Sequence, residues 1–415
     1  MRDGIQAAVT GIECGLIGSS LPDQGQECHE AHGYTRRVPL DLARWLPEFP
    51  VRQHCLYLNH AAVAPLPRRV ADAMRDRIAD QESVGSHNWQ RWRETELSTR
   101  ALAAELMGCR AEDVSLVRST SEGLSLIAQG LTWKKGDAVL VGEEEFAANV
   151  APYLALHRRG VSVRRFPTPG GRLTPEVVLP LLKPPVRMLA LSWVAFHTGW
   201  VAPVAELAYA AHERDVLVVL DAIQGLGVLP DRFDELGVDA MVADGHKWLL
   251  GPEGVGVMAT KPALRSALHP VLAGWLNVRR PDNQLFLHEL EFHADGRRFE
   301  PGAMPNILVA GLAAALDLLL EAGIGEIHTR VVSHARALTQ VLLKAGWRVG
   351  SPGSGHPIAG IVAARHPILP ADDVARRLRE RHIEVTARQG WARFSPHFYA
   401  TAGEIDALGV ILGKL

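Results

Sequence analysis

Cysteine is scarce in this 415-residue chain: Cys14, Cys28, Cys55 and Cys109 all lie within the first 109 residues, with no CxxC spacing. That excludes a disulfide scaffold and gives no support to a zinc ribbon; no metal site is expected. An excess of one charge sign is also missing, with 44 Lys+Arg against 46 Asp+Glu and a formal net charge of −2. A broadly cationic, phosphate-neutralising surface is not indicated, so no nucleic-acid partner is expected. No apolar run approaches the roughly 20 residues needed to cross a bilayer, and no membrane partner is expected. The first twenty residues are interrupted by Asp3 and Glu13 and do not read as a signal peptide; a cytoplasmic protein is the expectation. The GxGxxG dinucleotide fingerprint is absent too, which disfavours a nicotinamide dehydrogenase.

What remains is ordinary globular composition, 47% hydrophobic and 22% charged, in a chain long enough for two or three domains. Residues 1–40 show no firm periodicity and read as a loosely organised extension without assigned chemistry. A helical stretch is expected from Arg68 to Met107, interrupted near Gly85. Seven apolar runs follow: DVSLVRS, DAVLVGE, VSVRRF, RMLALSWV, DVLVVLD, DAMVADG and GVGVMAT, many of them separated by helical segments. Strands that are almost wholly apolar and alternate with helices predict a mainly parallel α/β sheet covered on both faces. The expected large domain spans 55–304. A smaller α+β C-terminal domain spans 305–415, with 41–54 packing near it.

Ligands of an open parallel sheet bind at the carboxyl ends of its strands. Asp221 ends the DVLVVL run, with Gln224 close behind; a buried acid there needs a cationic or hydrogen-bonding partner. After DAMVA comes Asp244-Gly245-His246-Lys247-Trp248, where a partly desolvated lysine can act as nucleophile or base. Ser119-Thr120-Ser121 lies between a strand and a helix, where hydroxyls and free N–H groups cradle phosphate. An acid, an amine and a phosphate seat on one rim suit pyridoxal phosphate. Each element has a plainer reading. The hydroxyls are N-caps, Asp221 a loop cap, Lys247 a surface lysine, His246 a core histidine, and the glycines of GPEGVG a turn. The conjunction, in this order, favours the cofactor.

DAIQ (221–224) and ADGHKWLLGPEGVGVM (243–258) resemble the class V aminotransferase family of fold-type I pyridoxal-phosphate enzymes, which includes cysteine desulfurases, selenocysteine lyases and isopenicillin-N epimerase-like proteins. YLNHAAVAPLP (57–67), RSTSEGLSLIA (118–128), EEEFAANVAPY (143–153), SWVAFHTG (192–199) and RFSPHFYAT (393–401) extend the resemblance from about residue 50 to the C-terminus. It implies Lys247 as the Schiff-base lysine and proton shuttle at Cα, and Asp221 as partner of the pyridine nitrogen. It further implies Gln224 on the phenolic oxygen, Phe146 stacked on the ring, and Thr120, Ser121 and His246 on the phosphate. A core role for Phe146 remains open. Arg393 would grip the substrate carboxylate, with His60 and Ser192 as further candidates. A homodimer acting on an amino acid or amine is implied.

The chain also departs from the family's pattern. Ala303 stands where relatives carry a threonine that reaches a phosphate across the dimer interface. Asp244 stands where many carry a phosphate-binding serine, and Ala400 replaces a common asparagine. Arg388-Gln389-Gly390-Trp391 occupies the place of the desulfurase loop with its nucleophilic cysteine, yet no cysteine follows Cys109. The sequence therefore argues against a conventional cysteine desulfurase. Aminotransferase-like chemistry is the leading expectation, with epimerisation or C–S lysis as the alternative. A non-catalytic pyridoxal-phosphate-binding protein is the reading from another class.

Overall fold

The computed structural model describes residues 40–279, 286–353 and 355–415. The extension expected over 1–40 lies outside them apart from Leu40, as do Cys14 and Cys28. All seven apolar runs form strands of one sheet: β1 (Val114–Val117), β2 (Ala138–Gly142), β3 (Ser162–Phe166), β4 (Val186–Ser192), β5 (Leu217–Asp221), β6 (Ala240–Asp244) and β7 (Gly256–Thr260). Their order is β1-β7-β6-β5-β4-β2-β3. Every neighbouring pair is parallel except those of β7, which runs antiparallel to both β1 and β6.

Successive side chains of a strand point to opposite faces, and the two cores divide accordingly. Along β5, Val218 and Leu220 enter one core and Val219 the other; along β2, Leu140 enters the first and Val139 and Val141 the second. Both faces need covering, which is why these strands read as continuous apolar runs. β3 is the exception. It closes the sheet edge and exposes Ser162, Arg164 and Arg165, charged cover that discourages further pairing.

The long helical stretch is two helices, α1 (Arg68–Val84) and α2 (Trp89–Met107), separated at Gly85 with φ +59°. The first core lies between the sheet and α2, α4 (Val204–His212) and α5 (Asn306–Ala322), through Met107, Leu207, Leu312 and Leu316. On the other face α3 (Thr120–Gly130) supplies Leu124 and Ile127. Helix α5 was expected to open the small domain, but its apolar residues pack into the large core instead.

Helix α6 (Ile324–Lys344) leaves α5 at 81°. Its Ile327 and Val331 belong to the large core, and Ala335, Leu338 and Leu342 to a third core. That third core underlies a four-stranded antiparallel sheet of β8 (Arg348–Val349), β9 (Val362–Arg365), β10 (Thr386–Arg388) and β11 (Trp391–Phe394), in the order β10-β11-β9-β8. Helices α7 (Ala371–Arg379) and α8 (Ala402–Leu412) cover it through Leu378 and Leu408. Residues 42–53 dock nearby: Phe49 stacks on Tyr399, Trp45 meets Phe398 edge-on, and Arg52 donates to Glu404 at 3.0 Å. No single helix among the described residues is long and apolar enough to cross a membrane.

Gly256 begins β7 opposite Asp244, at the rim where β6 ends. A Cβ there would lie 2.4 Å from the Ala243 carbonyl oxygen and 2.7 Å from the Asp244 Cα. Gly256→Ala is expected to cost about 1–3 kcal/mol, as overpacking against backbone does. Gly302→Ala, where a Cβ meets open space, should stay within about 0.5 kcal/mol of the parent. Urea unfolding of both variants checks this; equal midpoints would show that the close approach constrains nothing.

Candidate active site

Three adjacent parallel strands end in polar residues on one rim: Ser192 on β4, Asp221 on β5 and Asp244 on β6. β1 reaches the same rim and feeds α3. Ser119 caps that helix, its side chain accepting the Glu122 N–H at 3.1 Å. The plain N-cap reading therefore holds for Ser119, while Thr120 and Ser121 open the first turn. The Thr120 hydroxyl accepts the Asp244 N–H at 3.1 Å. This bond ties the start of α3 to the end of β6 and leaves the hydroxyl proton free to donate.

Beyond β6 the chain turns tightly. Gly245 N–H donates to the Val255 carbonyl at 2.9 Å, and Leu250 N–H to the Lys247 carbonyl at 3.0 Å. Trp248 is fully buried, and its indole N–H donates to Gln224 Oε1 at 2.8 Å. Because an indole only donates, this bond fixes the amide orientation of Gln224. The Gln224 NH2 then donates to the Ala61 carbonyl at 3.0 Å and keeps one N–H to offer. The turn thus anchors Lys247 between a buried tryptophan and the strand ends.

These elements surround a cavity of about 250 Å³ whose walls include Thr120, Ser121, Phe146, Asp221, Gln224, His246, Lys247 and Arg393. Of the expected site residues it gathers all but His60 and Ser192. His60 is fully buried behind the wall, its Nδ1 2.8 Å from the Ser395 carbonyl and its Nε2 2.7 Å from the Tyr399 hydroxyl. With both ring nitrogens engaged, it has none to offer a substrate. Ser192 is held by Glu145, which accepts its N–H at 2.7 Å and its hydroxyl as well.

Asp221 is buried, and desolvation pushes its pKa up to about 6 against the pull of the Ile223 N–H and of Lys247. Desolvation also pushes the Lys247 amine down to about 8, with Asp221 opposing the shift. The amine lies 5.7 Å from the Phe146 ring centroid. Phe146 itself is 45% exposed and meets Phe196 edge-on, which does not suit a core residue but does suit a wall of the cavity. Asp244 Oδ1 lies 3.1 Å from His246 Nδ1, yet neither atom has a hydrogen-bond partner among the described residues, so the carboxylate stands against the ring without being held by it.

Arg393 is 2% exposed, and its Nη1 donates to the Phe196 carbonyl at 2.6 Å. Its Nε and Nη2 are buried with no acceptor among the described residues. Burial, then the nearby Arg388, push its pKa down to about 9, so it stays charged at neutral pH. A buried cation with two unused donors is a seat for a carboxylate.

Two further residues bear on the site. Arg388 shares the cavity wall with Arg393. The Glu145 carboxyl, pushed up to about 7 by desolvation, sits beside Ser192 and Asp221. Glu145 stands three residues beyond the apolar β2 run, as Lys247 stands three beyond β6, so the same signal could have marked it; Arg388, on a strand of the small sheet, follows no such run.

The model of the class V aminotransferases matches residues 56–408. The chain belongs to the class V aminotransferase family. It is accordingly a pyridoxal-phosphate-dependent enzyme of fold-type I. Among its relatives, a probable cysteine desulfurase of Aeropyrum pernix is 31% identical over 356 residues, 81% of this chain and 85% of that protein. An uncharacterized aminotransferase of Bacillus subtilis, YcbU, is 26% identical over 86% of this chain and 93% of its own length. Among solved structures, the apo cysteine desulfurase of Thermococcus onnurineus has a TM-score of 0.83 at 22% identity, covering 92% of this chain and 98% of that one. The cystine C–S lyase C-DES has a TM-score of 0.82 at 24% identity, covering 88% and 99%. At these identities the two solved structures bear on the fold alone.

The residues present fit the family's cofactor. The cavity offers helix-start hydroxyls and an imidazole for a phosphate, a buried carboxylate for a ring nitrogen and an amine with no carboxylate in salt-bridge range among the described residues. The depressed pKa of Lys247 has a direct consequence. The neutral amine is the nucleophile, so labelling of the apoprotein at Lys247 by an amine-selective acylating reagent should rise as pH passes through about 8. A midpoint near the ordinary lysine value of about 10.4 would show that the amine is not desolvated.

Proposed function

We propose that this enzyme works at the α-carbon of an amino-acid substrate, with Lys247 as the covalent seat of the cofactor and the base that moves the Cα proton. The observation that carries the reading is the pair of unused, buried Arg393 donors in the same cavity as the desolvated Lys247 amine. Bound there, pyridoxal phosphate supplies an electron sink for the pair left on Cα when a bond to that carbon breaks. Asp221 holds the ring nitrogen, and its negative charge keeps a proton on that nitrogen. Thr120, Ser121 and His246 would hold the phosphate, Gln224 would offer its remaining N–H to the phenolic oxygen, and Phe146 would pack on the ring. Arg393 fixes the substrate carboxylate and thereby the direction of the Cα–H bond relative to Lys247. A protein that only stored the cofactor would have no use for that guanidinium.

Transamination is the outcome we favour; epimerisation and C–S lysis begin with the same proton transfer. The C–S lyase reading has one specific support, the desulfurase relatives such as that of Aeropyrum pernix. A protein-bound persulfide does not fit. Where the family's desulfurase loop would stand, Arg388 pairs directly with Trp391 across a two-residue turn, Gln389 (φ +50°) and Gly390 (φ +75°). Positive φ at both central residues is the geometry of a tight hairpin, which leaves no loop to carry a thiol. By family resemblance we also propose a cytoplasmic homodimer; exposed Phe286, Leu287 and Leu290 offer a second copy apolar surface to cover.

Steady-state turnover of a panel of amino acids, scored for keto acid, inverted product and released sulfide, tests the proposal. A variant with all four cysteines replaced should keep turnover, and Arg393→Ala should raise KM for carboxylate-bearing substrates by roughly tenfold or more, the worth of about 1.5–3 kcal/mol for a charge-assisted pair. A folded, inactive cysteine-free variant beside an unaffected Arg393→Ala would restore desulfurase chemistry.

A further inference from the structure

The small sheet presents two arginines to one cavity. Arg393 on β11 pairs with Thr386, and Trp391 pairs with Arg388 across the same hairpin. Directly opposed residues of an antiparallel pair share a face, and residues two apart on a strand share it too. Thr386, Arg388, Trp391 and Arg393 therefore all lie on one face. The opposite face carries Ala392 and Phe394 into the core beneath α7 and α8. The tight Gln389-Gly390 turn fixes Arg388 at the end of its strand.

The two guanidiniums differ in surroundings. Arg393 is buried and anchored to the Phe196 carbonyl. Arg388 is exposed and has no hydrogen-bond acceptor or ion-pair partner among the described residues. Neither carboxylate of the shared wall is in salt-bridge range of Arg388; Asp221 accepts the Ile223 N–H, and Asp244 lies against His246. Arg388 also lines a second hollow of about 630 Å³ that shares Phe146 and Phe196 with the first. Glu145, Val150, Leu154, Arg165 and Gln389 also line that hollow. The hollow thus mixes apolar side chains with two guanidiniums, Arg165 and Arg388, and one carboxyl, Glu145, whose charge burial disfavours by pushing its pKa up to about 7.

We infer that Arg388 forms a second anion subsite, and that the substrate is an amino acid whose side chain ends in a carboxylate or comparable anionic group. The α-carboxylate sits on Arg393, and the side chain passes Phe146 and Phe196 to reach Arg388. This rests on the amino-acid reading above and names the substrate class within it. One carboxylate shared by both arginines would leave the second hollow without a role. It would also give Arg388 no reason to prefer one side chain to another, which makes the two arrangements separable.

The test is titration of the holoenzyme, followed by its visible absorbance, with three pairs: L-aspartate and L-asparagine, L-glutamate and L-glutamine, L-2-aminoadipate and L-norleucine. In at least one pair the acid should bind about tenfold tighter than its neutral partner, the lower end of a charge-assisted contact. Arg388→Gln should bring that ratio close to one, and Arg388→Lys should retain part of it. Arg393→Gln should weaken both members together. Equal binding within every wild-type pair overturns the inference. So does an Arg388→Gln variant that weakens acid and neutral partner by the same factor, because Arg388 then serves the α-carboxylate. If neutral amino acids shift the spectrum without any preference for acids, only this inference falls. If no amino acid of either kind shifts it, the reading under Proposed function falls as well.

Discussion

A lysine amine is kept out of water in the field of a buried carboxylate that lies beyond salt-bridge distance, where two neighbouring parallel strands end, and the rest of the site is arranged around that fact. Desolvation pushes Lys247 down to about 8 and Asp221 up to about 6, and each shift is opposed by the charge of the other. Such a pair persists only where the surrounding fold holds it. Here the holding is done by buried β5 and β6, by Trp248 bonded to Gln224, and by Thr120 bonded to the end of β6. An amine that loses its proton near neutral pH is both a competent nucleophile and a competent base. The sheet's contribution to function is to supply that environment at one point of its rim.

Charge in the cavity is arranged with unmet demand. Neither Asp221 nor Asp244 lies in salt-bridge range of Arg393, whose Nε and Nη2 find no acceptor among the described residues. A buried guanidinium without a counter-ion is costly unless a ligand completes it. The same cavity therefore asks for a phosphate at the start of α3 and for a carboxylate at β11. The small sheet is what brings that second request to the large sheet's rim.

Much of this was legible in the sequence. The seven strands were readable because burial on both faces forces nearly unbroken apolar runs, and Asp221, Asp244 and Lys247 stood out as the polar residues ending them. Phe146, Gln224 and Arg393 were reached through family resemblance, and the structure places all three in the cavity wall. Other features depend on packing that spacing does not encode. His60 lies in the YLNHAAVAPLP segment of the resemblance, but its ring is bonded to Ser395 and Tyr399, more than 330 residues onward. Helix α5 reads like the opening of a new domain, yet it covers the large sheet. Arg388 looked like part of a replaced loop, and only the hairpin register shows that it shares a face with Arg393.

The central claim is that Lys247 carries the cofactor. Borohydride reduction of the purified holoenzyme, followed by proteolysis and mass mapping of the modified peptide, tests it most directly. The account predicts one reduced pyridoxyl group, on the lysine of the Asp244-Gly245-His246-Lys247-Trp248 segment. A label on any other lysine, or a yellow protein that leaves no covalent label after reduction, would contradict it.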